Sequence, residues 1–223
     1  MTFSLVARCR ETGMFGVAVA SSSPAVAARC AYARAGVGAV ASQNVTDPLL
    51  GPRGLDLMAA GATAAEAVAI LRRTLHAPWR QVLAVDATGG TAIHSGESAL
   101  GLFAEALAPD VACGGNLLAD RRVPQAMAEA FTAATGPLGD RLLVAMRAAL
   151  DAGGEAGPIH SAGMKLVREV AWPVADLRVD WTEGDPVAEL AALWRLYAPQ
   201  LDAYVTRALD PGEAPSYGVP GEK

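Results

Sequence analysis

Thr2 stands directly behind the initiator methionine, and a threonine in that place carries a latent chemistry. Once Met1 is removed, the chain begins with a hydroxyl beside a free α-amine. A threonine hydroxyl is a weak nucleophile until a base takes its proton, and an α-amine with a pKa of about 7.7–8.0 can be that base. The pair would attack an amide carbonyl and pass through an acyl-enzyme ester. An edge strand that happens to begin at Thr2 accounts for the same residue, because threonine is a favoured strand former.

Three further groupings invite chemistry. Ser21-Ser22-Ser23-Pro24 follows an apolar run and offers hydroxyls at several angles, although serines also cap their own loop amides. Arg34 lies downstream in an apolar neighbourhood, where a buried guanidinium needs partners; it is either a structural bridge or a fixed positive charge in a site. Cys113-Gly-Gly-Asn116 joins adjacent glycines, whose amides can cradle an anion, to an amide side chain that can donate. The same letters also spell an ordinary turn. His160-Ser161 follows a Gly/Pro-rich loop, where a lone histidine is more often structural than catalytic.

Other chemistries lack their signatures. His76, His94 and His160 have no metal-ligand spacing, and Cys9, Cys30 and Cys113 form no Cys-x-x-Cys pair, so neither zinc nor a disulfide framework is expected. No phosphate loop, dinucleotide fingerprint or Gly-x-Ser-x-Gly elbow occurs. No metal and no cofactor are expected.

The elements that must hold these residues follow from the hydrophobic pattern. Thr2–Arg8 and Met14–Ala20 read as a hairpin, and Gly36–Ser42 as a third strand; all three are apolar on nearly every residue, which predicts a sheet covered on both faces. Two helical segments fill Pro52–Leu75, with a capping box at Thr63–Glu66. Gln81–Asp86 and Thr91–Ser95 form a second hairpin, and Ala108–Ala112 runs as a strand into the Cys-Gly-Gly-Asn segment. Helices follow at Asp120–Ala134 and Pro137–Ala152, then strands at Met164–Val170 and Leu177–Asp180. A helix starts at Asp185-Pro186 and is broken near Pro199. Strand pairs separated by helix pairs predict a layered α+β domain. It spans residues 1–209, with a loose tail over 210–223.

Composition bounds the function. Of 223 residues, 52% are hydrophobic and 18% charged, and the net charge is −5; the pI is near 5.2 and the mean hydropathy +0.26. Such a chain is globular and lacks the basic footprint of a nucleic-acid binder. No apolar run reaches membrane-spanning length and no signal-like leader is seen, which predicts a cytoplasmic protein. Aromatics are only 5%, so alanine-rich helices carry much of the packing; a structural homo-oligomer built on them is the third functional class, beside a hydrolase and a binding protein.

Several blocks, in order, resemble a bacterial domain-of-unknown-function family, number 1028, placed among the N-terminal-nucleophile (Ntn) hydrolase folds. They are Thr2–Ser4, Glu11–Ser21, Ala33–Ala41, Gly51–Leu57, Gly115–Asn116 and Asp176–Asp180. The resemblance covers about residues 1–195 and implies an αββα sandwich, two mainly antiparallel sheets between helical layers. By similarity to the wider Ntn class, it implies Thr2 as nucleophile, Ser21 as the polar residue closing the second strand, and Arg34 as the basic residue before the third. Asn116 would stabilise the oxyanion and Ser161 would support the α-amine, while Gln43, Gly115 and His160 would contact the ligand. The implied reaction is hydrolysis of an amide bond in a small molecule or peptide. The alternative is a non-catalytic protein of the same fold that holds a small carboxylate with Arg34 and the Gly115–Asn116 amides. Two departures stand out: Ser21 replaces the carboxylate of proteasome-like members, and Gly157-Pro158-Ile159-His160 replaces the Arg and Gln found in many family members.

Overall fold

Alternate residues of the first strand serve two different cores. Phe3, Leu5 and Ala7 are buried in one apolar cluster, whereas Val6 belongs to another with Val17, Val19, Leu83 and Val85. The two-residue period of a strand places Thr2 and Ser4 on the face of Val6. A strand buried on both sides requires a sheet covered on both faces. The computed structural model, which describes residues 2–219, has that architecture.

The chain opens with β1 (Thr2–Arg8) and β2 (Phe15–Ser21), a one-turn helix α1 (Ala27–Cys30), then β3 (Ala31–Arg34) and β4 (Gly38–Asn44). Helices α2 (Leu50–Ala59) and α3 (Ala64–Leu71) lead to the hairpin β5 (Arg80–Asp86) and β6 (Thr91–Ser95). A second hairpin, β7 (Ala104–Ala108) and β8 (Val111–Asn116), precedes α4 (Val123–Ala133) and α5 (Leu138–Asp151). The last elements are β9 (Ser161–Val167), β10 (Ala175–Val179), α6 (Pro186–Tyr197) and α7 (Leu201–Leu209). One sheet has the order β10-β9-β2-β1-β8-β7 and the other β3-β4-β5-β6. Every neighbouring pair is antiparallel.

Three apolar clusters define the layers. The first lies between the six-stranded sheet and α4–α7, the second between the sheets, and the third between the four-stranded sheet and α2–α3. The fold is therefore an α+β sandwich of αββα type. Gly16 makes the close seat of α5 on β2: a Cβ there would stand 2.6 Å from a Leu142 methyl, inside contact distance.

Local signals explain several boundaries. Thr63 and Glu66 form a reciprocal capping box at the start of α3. The Asp185 carboxylate accepts the amides of Val187 and Ala188 at the start of α6, with Pro186 in the first turn. The break expected at Pro199 falls between α6 and α7 as a single 3-10 turn, Ala198–Gln200. Elsewhere the sequence reading is corrected. Ala31–Arg34, ahead of the third strand expected from Gly36, is itself an edge strand. The stretch 108–112, taken as one strand, straddles the turn between β7 and β8. Past Leu209 no helix or strand occurs among the described residues, yet the tail is not loose throughout: Arg207 donates to the Pro215 carbonyl at 2.9 Å and lies 3.7 Å over the Tyr217 ring. Met1 and residues 220–223 lie outside the described residues.

Candidate active site

Four neighbouring strands of the larger sheet present polar side chains at one shared level. The register sets Ser161 of β9 opposite Ser21 of β2, and Thr2 of β1 opposite Asn116 of β8. Phe3 pairs with Ala20, so Thr2 and Ser21 are neighbours and close the row Ser161, Ser21, Thr2, Asn116. All four face the second sheet. Thr2 is 5% exposed and the other three are fully buried. The sequence reading named each of them; the register brings them together.

The hydroxyls form a directed chain. Thr2 Oγ1 donates to Ser21 Oγ at 3.3 Å, which also takes the Ser23 amide at 3.1 Å. With two donors already directed at its oxygen, Ser21 gives its own hydrogen to Ser23 Oγ, 2.8 Å away. Ser23 Oγ in turn accepts Arg29 Nη2 at 3.0 Å. The chain therefore runs from the Thr2 hydroxyl through two serines to a guanidinium, which stabilises negative character along it. Arg29 also holds the carbonyls of Pro24 and Ala25. Ser161 fixes the other side of this loop, donating to the Ser23 carbonyl at 2.6 Å and accepting the Val26 amide at 3.2 Å.

Behind Thr2 lies a buried amide network that joins the sheets. Ser4 Oγ donates to Gln43 Oε1 at 2.7 Å; Gln43 Nε2 donates to Gln81 Oε1 at 2.7 Å and to the Gly114 carbonyl at 3.2 Å. Gln81 Nε2 donates to Ser95 Oγ and to the Gly115 carbonyl. The two backbone carbonyls fix both glutamine amides, because a carbonyl can only accept. Gln81 Oε1 is then an acceptor, so the atom of Asn116 that meets it at 3.3 Å is Nδ2. Asn116 Oδ1 remains a buried acceptor without a hydrogen-bond partner among the described residues.

Glu155 completes the site and was missed in the sequence. It is 5% exposed and bridges to Leu118 just past β8, with the Ser22 amide 3.2 Å from each carboxylate oxygen. Burial pushes its carboxyl up to about 7, against the lowering effect of the Ser22 bonds and of His160. His160 is fastened to the same corner: its amide donates to the Ser21 carbonyl at 2.9 Å, its Nδ1 lies 2.8 Å from the Thr182 carbonyl, and its ring stacks on Trp181 at 4.3 Å. A carbonyl partner makes Nδ1 the protonated nitrogen and leaves Nε2 as an acceptor in the neutral ring. The available signal for Glu155 was an acid inside a Gly/Pro-rich loop just ahead of His160.

Two expected residues are not part of the site. Arg34 ends β3 opposite Gly38, and Gly38 pairs with Asp86; Gln43 and Gln81 lie at the other end of the same strands. Arg34 is exposed and ion-paired with Asp56 at 2.8 Å, so its neighbourhood is surface and Arg29 supplies the positive charge near Thr2. Gly114 and Gly115 are not a turn but part of β8, between β1 and β7. Gly115 faces the helices, since a Cβ there would meet Leu118 at 2.6 Å, and its carbonyl serves Gln81. An anion cradle at 114–115 is excluded by the sheet ladder, and with Arg34 absent the proposed carboxylate clamp loses its main groups. Among the described residues no cluster of three or more His, Cys, Asp or Glu could hold a metal ion.

Comparison with known protein families places the chain. It belongs to the family of unknown function DUF1028, matching over residues 2–190. A crystal structure of a protein of that family from Silicibacter pomeroyi is similar at 28% identity and a TM-score of 0.82, covering 90% of this chain and 93% of that one. Anbu, described as an ancestral β-subunit, from Yersinia bercovieri shares 11% identity over 91% of this chain and 97% of its own, at a TM-score of 0.36; a likeness at that score does not establish a shared fold. No curated protein matches. No helix among the described residues is long and apolar enough to cross a membrane.

Proposed function

We propose that this protein is an N-terminal-nucleophile amidohydrolase that acts on a small-molecule or peptide amide after removal of Met1. The observation that carries the reading is the directed bond from the Thr2 hydroxyl into the serine chain that ends at Arg29. In the processed chain the α-amine of Thr2 would take the hydroxyl proton as Oγ1 attacks the amide carbonyl carbon. The amine leaving group would depart with that proton, and water would then hydrolyse the Thr2 ester and restore the hydroxyl. Asn116 Oδ1, opposite Thr2 in the register and without a hydrogen-bond partner among the described residues, is suited to accept a hydrogen from that amine. Glu155 supplies a nearby carboxyl poised to exchange protons around pH 7. Three free, buried cysteines fit a reducing compartment such as the cytoplasm.

The test has two parts. Intact mass of the protein purified from its own cells is expected to lack Met1. Turnover of an amide library by the wild type is expected to fall by a factor on the order of 10³ or more in Thr2→Ala. A retained Met1, or unchanged turnover in Thr2→Ala, ends the proposal. A non-catalytic binding protein is the second reading, favoured by the near-complete burial of Thr2; it predicts ligand-dependent melting shifts without product.

A further inference from the structure

At the opposite end of β1, about 20 Å from Thr2 by strand length, a surface cleft of about 440 Å³ opens between the β1–β2 turn and the junction of α4 and α5. Its walls carry Arg8, Arg10 and Arg141 against two carboxylates, Asp110 and Glu11. Local charge is thus positive in a chain whose net charge is −5.

Asp110 offsets part of this charge, and both of its oxygens are engaged by guanidinium groups. Oδ1 takes Arg8 Nη1 at 3.1 Å, and Oδ2 takes Arg10 Nε at 3.0 Å and Nη2 at 2.7 Å. Its side chain is only 9% exposed, and it serves to hold two guanidinium groups side by side. Arg141 reaches the cleft from α5, braced by its position 4.1 Å over the Phe131 ring and by a bond from Nη2 to the Phe131 carbonyl at 3.3 Å. Arg8 Nε and Arg141 Nε are buried donors with no hydrogen-bond partner among the described residues. A buried donor left unmet is unfavourable, and gathered like charges repel. A ligand made only of acceptors, with negative charge, would relieve the repulsion; the two Nε atoms are closed to solvent and lie beyond its reach. Guanidinium forks match the oxygens of phosphate two at a time, and the volume suits a phosphate with a small organic group.

We propose that this cleft is a binding site for a small phosphate-bearing ligand, free phosphate or a phosphomonoester, independent of the chemistry at Thr2. The full chain would be titrated by calorimetry with inorganic phosphate and, separately, with glycerol phosphate, sodium chloride holding the ionic strength constant. Saturable binding is expected, weakened at least about tenfold by Arg141→Gln and by Arg10→Gln. Arg10 is 73% exposed, so the second variant keeps its fold, which circular dichroism would verify. Tighter binding of the ester identifies phosphomonoesters as the ligand; equal binding identifies the phosphate group alone. Heats that do not saturate, or saturable binding unchanged in both variants, overturn the proposal.

Discussion

The two ends of β1 solve the burial of polar groups in opposite ways. At the Thr2 end, polar side chains are sealed between the sheets and are mostly neutral: hydroxyls and carboxamides that satisfy one another through directed bonds. At the Arg8 end, full charges stand at an open cleft and are held by ion pairs. A neutral network tolerates a dry interior because no charge is stripped of water. Charges stay where solvent still reaches them. The difference teaches where reactivity can be tuned: a charge introduced at the sealed end, such as an α-amine, meets a low dielectric, whereas one at the open end is screened.

Substitutions can break that contrast. The largest effect is expected for Gln81→Leu. It strips acceptors from Gln43 and Asn116 and a donor from Ser95 and the Gly115 carbonyl. Urea unfolding should show a loss of about 3–4 kcal/mol, insensitive to salt. A salt-dependent loss would mean the sealed end is not neutral in practice.

Glu155 and, at the end of the serine chain, Arg29 are the exceptions to neutrality, and pH sharpens the point for Glu155. Its carboxyl is raised from 4.5 to about 7 in the folded protein, so between those values the folded state binds more protons than the unfolded state. Stability must fall as pH rises through this window. Glu155→Gln should flatten the slope, a difference on the order of 1–3 kcal/mol across it, measured as the midpoint of chemical unfolding at several pH values. An unchanged slope would assign it to another group.

The smallest effect is expected for Arg34→Ala. The Arg34–Asp56 pair is well exposed on both sides, and such pairs contribute less than about 0.5–1 kcal/mol, reduced further by salt. Turnover on any amide substrate found should be unaffected. A large loss of activity would return Arg34 to the site and undo its separation from Thr2.

The layers were legible because they rest on pattern. β1 and β2 are apolar on consecutive residues, which forces cover on both faces, and the capping box and Asp185-Pro186 mark helix starts by local chemistry. Ser21, Ser161 and Asn116 were legible as polar residues at strand ends. Arg34 was misplaced because its location depends on register: recognising β3 as a strand sends its last residue to the far end of the sheet. The 113–116 segment was misread because glycine pairs signal turns, while here the neighbours β1 and β7 impose an extended backbone. Glu155 left no periodic trace, since its burial comes from a loop folding across β8. Gln81 needed the partner sheet to show its meaning.

The carboxamides that cross from β4 and β5 to the carbonyls of β8 also bear on how the chain folds. Apart from them, the sheets meet largely through small and branched side chains such as Ala39, Ala41, Val17 and Val19, a surface that would accept more than one offset. A collapsed intermediate with the sheets shifted by a residue pair would strand two amides against hydrocarbon, each unfavourable by about 1–3 kcal/mol. In such a step Gln43 and Gln81 would act as proofreaders of assembly, disfavouring alignments that the apolar surfaces alone would let pass.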